Sequence, residues 1–373
     1  MSGGRVTVLT AAPPEAAAGA RLAAAARRLL PLVCVIVFLL TVGATLAVAG
    51  DTLGYDFRSY FDAASRVLAG HPLYDASAAD TGVNGGFKYP PPFVLPVLPL
   101  ALLPWQAAAW TWVGLSLIAF AAGTAVLPVR ATVRWWVVLL AAVSFPFLYA
   151  TKLGQVGSVL YLLFAIGWRW LDRPGVVGTT GALGALVKLQ PGLVLVWAAL
   201  TRQWRAVAVG GGVLVGVSVV AAVVLGPGAW MDFVSLPGRV SDPIVTPHNV
   251  APGAVAYQAG LARDLAAMLQ WISTLGALLA ALIASLRLPR VASYLVVVVV
   301  SQLVSPIAWE HYAMLLLLPV AWLLDRGRWW AVVIPLLTSI ALVGLPPALY
   351  PISYWLTLAA LLFVGAREAR TAG

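Results

Sequence analysis

The stretch LLPLVCVIVFLLTVGATLAVA at residues 29–49 contains no charged side chain. An α-helix needs about 20 apolar residues to cross the hydrocarbon core of a bilayer. The rest of the chain has the same character, because 62% of its 373 residues are hydrophobic and only 10% are charged. Soluble domains carry about 25% charged residues. The composition therefore excludes a soluble globular domain and predicts an all-α polytopic membrane protein.

Further apolar segments bring the number of predicted transmembrane helices to about twelve. They lie at residues 105–127, 135–151, 156–170, 175–187 and 191–201 (two halves of a hairpin), 206–226, 264–286, 291–308, 311–325, 329–346 and 351–366. An even number of spans puts both termini on one side of the membrane. We therefore expect a cytoplasmic, disordered N-terminus at 1–28, a single transmembrane domain at 29–366 and a cytoplasmic tail at 367–373.

The charged residues are distributed unevenly across these spans. Sixteen of the 23 lysines and arginines fall on the side of the N-terminus, which the positive-inside rule makes cytoplasmic. All three histidines and most acidic residues fall on the other side. We therefore expect a multi-pass protein of the cytoplasmic membrane with an extracytoplasmic active site. The net charge of +10 does not indicate nucleic-acid binding, because the basic residues come as isolated pairs between apolar segments.

Three segments on the predicted outer side depart from the pattern of long apolar helices. Residues 91–104 (PPFVLPVLPLALLP) contain five prolines, so we predict a re-entrant or interfacial helix that lines a cavity. The loop at 227–262 is rich in proline and glycine. The loop at 50–90 contains apolar residues at helical spacing, which predict an amphipathic helix on the membrane surface. These residues are Phe57, Tyr60, Phe61, Ala64 and Leu68.

Asp56 directly follows the first span and begins the predicted amphipathic helix. An aspartate at such a position commonly caps a helix by accepting hydrogen bonds from backbone N–H groups. A carboxylate held partly desolvated at the interface has instead the raised basicity that a general base needs. Gly54 and Tyr55 would let backbone and an aromatic ring approach it closely. The sequence leaves both interpretations open.

Lys188 lies between apolar residues at the apex of the predicted hairpin, in GALVKLQPG. An ionisable side chain at membrane depth favours a functional role, because its desolvation must be compensated. A lysine that snorkels to the outer interface is the alternative. Lys152 and Gln155, in TKLGQVG, lie at the outer end of another pair of spans. They are either site residues or plain loop residues.

The segment SPIAWEHY at 305–312 is another outer junction between spans. Its Ser-Pro pair breaks the helix, so four side chains capable of chemistry or sugar stacking crowd one turn. They are Trp309, Glu310, His311 and Tyr312, with His311 the candidate for catalysis. A histidine that is simply hydrogen-bonded in the core is the alternative. Lys88 and Tyr89 stand at the start of the proline-rich segment.

Five motifs in this order resemble glycosyltransferase family 87, of the C-type glycosyltransferase superfamily. They are YDFRSYFDAASRVLAGHPLYD at 55–75, KYPPP at 88–92, GQVGSVL at 154–160, GALGALVKLQP at 181–191 with RQWR after it, and SPIAWEHY. The resemblance covers roughly residues 50–330. It implies a C-type fold, a polyprenyl-phosphate sugar donor and transfer outside the cytoplasmic membrane. It marks the first-loop aspartate, here Asp56, as the catalytic base.

The chemistry of such a donor agrees with these residues. A polyprenyl phosphate departs with its charge and needs no general acid, so the enzyme needs one base and cations for the phosphate. Candidate cations on the outer side are Lys152, Lys188, Arg239 and Arg263. We expect no metal or other cofactor, because the sequence has no D-x-D pair and no histidine cluster with metal-ligand spacing. A base opposite the departing phosphate implies inversion at the anomeric carbon.

The resemblance leaves the sugar and the acceptor open. Mannose is favoured, as in the actinobacterial α-mannosyltransferases of the family, and arabinofuranose is the alternative. The expected partners are a lipid-linked donor, a glycolipid or cell-envelope glycan acceptor and membrane lipids, without nucleic acid. A transporter or lipid flippase is the alternative from another class, but it predicts internal repeats and polar residues near the midplane. A purely structural scaffold would need no convergence of Asp56, Lys188 and His311.

Overall fold

A computed structural model describes residues 14–74, 86–236, 242–339, 344 and 346–372. The regular secondary structure in this part of the chain is all helical, and it contains no strand. Its α-helices, in chain order, are α1 Pro14–Ala47, α2 Tyr55–Leu68, α3 Trp105–Val126, α4 Ala131–Ala142, α5 Phe145–Leu153, α6 Gly157–Arg169, α7 Pro174–Val187, α8 Leu193–Leu200, α9 Trp204–Leu225, α10 Gly228–Ser235, α11 Pro252–Gln258, α12 Arg263–Arg287, α13 Arg290–Leu303, α14 Leu317–Asp325, α15 Val333–Ser339 and α16 Leu349–Ala372.

Five of these helices are long and apolar enough to cross a membrane by length and composition. They are α1, α3, α9, α12 and α16, and the bent pair α4–α5 makes a possible sixth. Their outward faces are apolar: Leu39 on α1 is 65% exposed and Val223 on α9 is 81% exposed. Such surfaces are stable against lipid, not water. The chain is therefore an all-α membrane protein, and the other predicted spans correspond to shorter apolar helices.

The predicted span at 135–151 is not one continuous helix, because it is broken between α4 and α5, which meet at 67°. Ser144 is extended (φ −90°, ψ 116°), and Pro146 lies in the first turn of α5. Proline has no N–H for the helical ladder, and its ring clashes with the carbonyl four residues earlier, here Ala142 at the end of α4. The break turns the C-terminal end of α5 towards α2.

The segment predicted as a helix at 91–104 is helical, but as 3₁₀ helix. It forms two 3₁₀ helices, Pro91–Val97 and Leu100–Leu102. Its five prolines cannot donate the backbone bonds of an α-helix, which favours these tighter and interrupted pieces. Phe93 and Val94 are buried against the protein. The segment therefore packs beneath α2 as part of the core.

The amphipathic helix is present as α2, but its apolar face does not lie on a membrane surface. Phe57 and Tyr60 are fully buried within the protein. The ring of Phe57 stacks between two tryptophans of α3, with centroid distances of 5.8 Å to Trp105 and 5.1 Å to Trp112. Aromatic stacking adds to the burial of a large apolar area. The helix is thereby fixed to α3 in one orientation, with Asp56 in its first turn.

The two ends of α3 differ in chemistry. Its first residue, Trp105, packs on α2, whereas the turn after its last residue holds Arg130, which pairs with Asp325 at 2.9 Å. Two more ion pairs join the helix ends Arg290 to Asp172 (3.0 Å) and Arg326 to Glu368 (2.5 Å). A helix of this length spans about 30 Å. The α2 end and the Arg130 end are thus separated by roughly the thickness of a bilayer core.

Candidate active site

Asp56 lies in the first turn of α2, but it does not cap that helix. The cap position belongs to Gly54, whose backbone is left-handed (φ 71°), and no side chain makes a capping bond. The Asp56 carboxylate instead accepts a hydrogen bond from Nε2 of Gln155. The backbone N–H of Gly54 donates to the carbonyl of Lys152 at 2.8 Å. The start of α2 and the C-terminal end of α5 are therefore joined by two hydrogen bonds, one of which is made by the candidate base.

Glycine at position 154 makes this close approach possible. Gly154 ends α5 in the left-handed region (φ 68°). A Cβ atom there would lie 2.7 Å from Cβ of Phe57 and 3.4 Å from Cα of Gly54. The Gly154 carbonyl accepts a bond of 2.7 Å from the indole Nε1 of Trp112. The turn thus places Gln155, the next residue, directly beside Asp56.

The amide of Gln155 is held in one orientation by its partners. Its Oε1 accepts hydrogen bonds of 3.2 Å from the hydroxyls of Tyr60 and Tyr89, which are themselves 2.7 Å apart. Because the amide oxygen serves these hydroxyls, the NH₂ group faces the Asp56 carboxylate. Gln155 is only 7% exposed. The carboxylate is therefore oriented by a buried, connected network.

Lys188 brings a positive charge to the same cluster. It follows the last residue of α7 in an extended conformation, and its Nζ lies 3.7 Å from the ring centroid of Tyr312 and 5.6 Å from that of Tyr89. An ammonium over an aromatic face gains a favourable cation–π interaction. Within the described part of the chain, no carboxylate forms an ion pair with Lys188. Burial lowers the pKa of the Lys188 ammonium to about 7, so a bound anion would favour its charged form.

The electrostatics of the cluster act on Asp56 in opposite directions. Burial raises the pKa of the Asp56 carboxyl, while the hydrogen bond from Gln155 and the charge of Lys188 lower it, and the net direction is upward. A carboxylate with a raised pKa is a stronger base than a solvated one. The carboxylate can accept a proton, and the amide of Gln155 orients it. The nearby ammonium of Lys188 can contact a bound anion.

The segment 305–312 also packs against this cluster, through Tyr312 beneath Lys188. The ring of His311 is buried and lies 5.0 Å from the ring of Tyr312 and 6.2 Å from that of Tyr149. Its Nε2 has no hydrogen-bond partner in the described part of the chain. Nε2 of Gln190, beyond Lys188, donates to Oγ of Ser305 at 3.3 Å. The hairpin apex and this segment are therefore held together.

The family model of glycosyltransferase family 87 matches residues 87–306, more than half of the chain. The chain belongs to glycosyltransferase family 87. The match includes Tyr89, Gln155 and Lys188, whereas Asp56 and His311 lie outside it. Comparisons with curated proteins and with solved structures found no match. The protein is therefore a membrane glycosyltransferase, and a sugar donor and an acceptor are its substrates.

Not every residue that the sequence suggested joins the cluster of this family 87 enzyme. Arg263 forms a surface ion pair with Asp242 and a second one with Asp264, so the structure places its charge elsewhere. Arg239 lies outside the described residues. Lys88 is exposed beside Tyr89, and Lys152 contributes its backbone carbonyl at Gly54.

The sequence did not reveal the part that Tyr60 plays in the cluster. Tyr60 was interpreted only as part of an apolar helix face, although its hydroxyl lies within hydrogen-bonding distance of Oε1 of Gln155 and of the Tyr89 hydroxyl. A tyrosine among phenylalanines on a buried face was the available signal, because a buried hydroxyl needs a partner. Among the described residues, no three His, Cys, Asp or Glu side chains are grouped to hold a metal ion.

Proposed function

We propose that this glycosyltransferase transfers a sugar, with mannose favoured, from a polyprenyl-phosphate donor to a hydroxyl of a glycolipid or envelope glycan at the outer face of the cytoplasmic membrane. The observation that carries the proposal is the Asp56 carboxylate, oriented by Gln155 and close enough to Lys188 to feel its charge. One base and one cation are the groups that this reaction needs.

In the proposed reaction, the hydroxyl oxygen of the acceptor attacks the anomeric carbon while Asp56 takes the proton of that hydroxyl. The bond from that carbon to the phosphate oxygen breaks, and polyprenyl phosphate leaves with the bonding electron pair. Lys188 balances the negative charge of the departing phosphate, and Tyr312 and Trp309 are the aromatic residues proposed to contact the sugar. Attack opposite the leaving group inverts the configuration at the anomeric carbon.

The location of the cluster supports a lipid-borne donor. It lies where α2 packs on the first residue of α3, at the end of that helix opposite the Arg130–Asp325 ion pair. Under the positive-inside rule the arginine-rich end is cytoplasmic, so the cluster is outside. A phosphate at the outer interface with its tail in the bilayer would bring the anomeric carbon to this depth.

Transfer by isolated membranes tests the proposal. Membranes containing the protein, given polyprenyl-phosphate [¹⁴C]mannose, should form labelled glycolipid or glycan, and the same membranes given the arabinofuranosyl donor should form much less. A transporter would move either donor across the membrane without forming a new glycoside. Absence of labelled product from both donors would contradict the proposal.

We also propose that the reaction needs no divalent metal, since Lys188 supplies the positive charge for a single phosphate. Transfer should therefore continue when EDTA is present in excess. A reaction that stops on chelation and returns with manganese or magnesium would contradict this assignment.

A further inference from the structure

The proline-rich loop before α11 contains a turn that presents Asn249 to the protein interior. The backbone N–H of Asn249 donates to the carbonyl of Thr246 at 3.3 Å, which closes a four-residue turn. Pro247 occupies the second position, and His248 occupies the third with a left-handed backbone (φ 57°). Proline followed by a residue of positive φ is the pattern of a type II turn. The side chain of Asn249 is thereby fully buried.

The buried amide of Asn249 ties this loop to the segment 305–312. Its four partners are backbone groups, two in its own loop and two in that segment. Nδ2 donates to the carbonyls of Pro243 (2.8 Å) and Pro306 (3.0 Å), and Oδ1 accepts from the N–H groups of Ala251 (3.0 Å) and Ala308 (2.9 Å). Two donor hydrogens and two acceptor lone pairs are the whole capacity of an amide side chain. Asn249 therefore fixes the two segments relative to each other.

The residues held in this way belong to a linker without regular secondary structure. This linker, 304–309, joins α13 to the 3₁₀ helix Glu310–Leu316. Its backbone takes partners from outside, because the carbonyl of Ala308 also accepts a bond of 2.8 Å from the N–H of Val250. Buried backbone groups must be paired, so the loop around Asn249 decides where the linker can lie.

The linker leads directly to Tyr312, whose ring lies against the ammonium of Lys188. The N–H of Tyr312 donates to the carbonyl of Trp309 at 2.9 Å, so the 3₁₀ helix takes its start from the end of the linker. Nζ of Lys188 is 3.7 Å from the centroid of the Tyr312 ring. A cation–π contact requires the charge to stay over the ring face, within about 6 Å of its centroid. A displaced linker would move the ring from beneath the charge.

We propose that Asn249 is a positioning residue for the donor phosphate. By fixing the linker it holds the ring of Tyr312 against Lys188, and so keeps the ammonium in place for the phosphate of a prenyl lipid. The inference rests on the proposed function, which assigns that phosphate to Lys188. Asn249 itself touches neither substrate, because its side chain is fully buried and its bonds are all to backbone groups.

Binding of farnesyl phosphate to purified protein in lipid nanodiscs, measured by calorimetry, tests the inference without relying on catalysis. Asn249→Ala removes all four bonds and introduces no charge. The affinity should fall about three- to tenfold, within the range of coupling between residues of one hydrogen-bonded network. Asn249→Ser returns one hydroxyl to the site and is the variant to measure if the alanine protein does not fold. It should lose affinity in the same direction.

Two controls separate positioning from general stability. Gln258→Ala removes a bond of 2.9 Å to the Asn249 carbonyl but leaves the four amide bonds intact, so it should bind farnesyl phosphate like wild type. Farnesol has the same tail without the phosphate, and wild type and the Asn249 variants should bind it alike. A merely structural asparagine would lower the unfolding temperature and leave the affinity of the folded protein for farnesyl phosphate unchanged.

A double-mutant cycle shows whether Asn249 acts through Lys188. Lys188→Met alone should weaken farnesyl phosphate binding about tenfold, as expected for loss of a charge-assisted contact. Adding Asn249→Ser should weaken it no further, because no ammonium is left to position. Equal affinities of the wild type and the Asn249 variants, or a further loss in the Lys188→Met background, would overturn the inference and leave the phosphate site standing. A wild type that does not bind farnesyl phosphate, or a Lys188→Met protein that binds it like wild type, would overturn the phosphate site itself and the inference with it.

Discussion

Gln155 uses the two ends of one amide for different purposes. Its oxygen accepts from Tyr60 and Tyr89, and its NH₂ group donates to Asp56. The hydrogen bond stabilises the ionised carboxylate, whereas burial destabilises it, and burial dominates. The basicity of Asp56 is therefore set by the balance of these two effects.

This balance gives a pH prediction. The pKa of Asp56 is raised, so activity should fall with acidification at a higher pH than for a solvated aspartate, as the base becomes protonated. Gln155→Leu removes a hydrogen bond that lowers this pKa. The acid limb of its kcat/KM profile should therefore move to higher pH than that of the wild type. An acid limb at the same pH in both proteins would contradict the role of Gln155.

Lys188 and Arg263 were both candidates for phosphate binding from the sequence, with Lys188 favoured for its burial between apolar residues, and the structure separates them. Lys188→Met should raise the KM for the polyprenyl-phosphate donor by about tenfold or more, since a charge-assisted contact contributes about 1.5–3 kcal/mol. Arg263→Gln should leave that KM unchanged, because its guanidinium pairs with carboxylates at the surface. Initial-rate kinetics over donor concentration measure both values. A larger effect of Arg263→Gln than of Lys188→Met would reverse the assignment.

At the scale of elements, the turn at Gly154 decides whether α2 and α5 can meet. Gly154→Ala places a methyl group in the left-handed region, which costs about 1–2 kcal/mol, and pushes it against Phe57. Gly70→Ala is the control, because that glycine is also left-handed (φ 77°) but has no atom within 4 Å of the added Cβ.

Thermal unfolding of the two purified variants separates strain from contact. Both variants should be destabilised by the strained left-handed backbone. Gly154→Ala should lose about 1–3 kcal/mol more, the usual cost of overpacking a well-filled site. Equal destabilisation by the two substitutions would show that α2 does not pack closely against the end of α5 at Gly154.

The long helices were predictable from the sequence, and the broken ones were not. The span predicted at 105–127 is α3, Trp105–Val126, and that at 264–286 is α12, Arg263–Arg287. An uninterrupted apolar run has no lower-energy form in lipid than a continuous helix. The run at 135–151 is equally apolar, so hydropathy did not reveal its bend. Pro146 was the signal, and it was missed.

The members of the site were easier to predict than their contacts. Asp56, Gln155 and Lys188 were selected because polar groups at the ends of apolar segments are conspicuous. The hydrogen bond from Gln155 to Asp56 joins residues 99 positions apart. Local spacing carries no information about a contact at that distance.

At the scale of the whole molecule, the candidate site lies opposite the end that carries three ion pairs, Arg130–Asp325, Arg290–Asp172 and Arg326–Glu368. This arrangement predicts the topology. On a Cys34→Ala background, Ala69→Cys beyond α2 should react with an impermeant maleimide added to intact cells. Arg328→Cys, near the Arg326–Glu368 pair, should react only after the membrane is opened. The reverse pattern would put the site on the cytoplasmic side.

The stability of Asp56→Asn distinguishes a base from a structural residue. A raised pKa means that the folded protein prefers the protonated carboxyl, so ionisation at neutral pH opposes folding, and this cost disappears as the pH falls. Replacing Asp56 by neutral asparagine should therefore leave the unfolding temperature at neutral pH equal or higher. A residue that capped α2 would instead lose about 1 kcal/mol of stability.

The most direct measurement is the turnover of purified, monodisperse Asp56→Asn protein with polyprenyl-phosphate mannose. Asp62→Asn is its matched control, because Asp62 lies on the same helix in an exposed pair with Arg58. A general base typically contributes 10²–10⁴-fold, so kcat should fall on the order of that factor in Asp56→Asn and stay near wild type in Asp62→Asn. Near-wild-type turnover of Asp56→Asn would contradict the central claim that this carboxylate is the base.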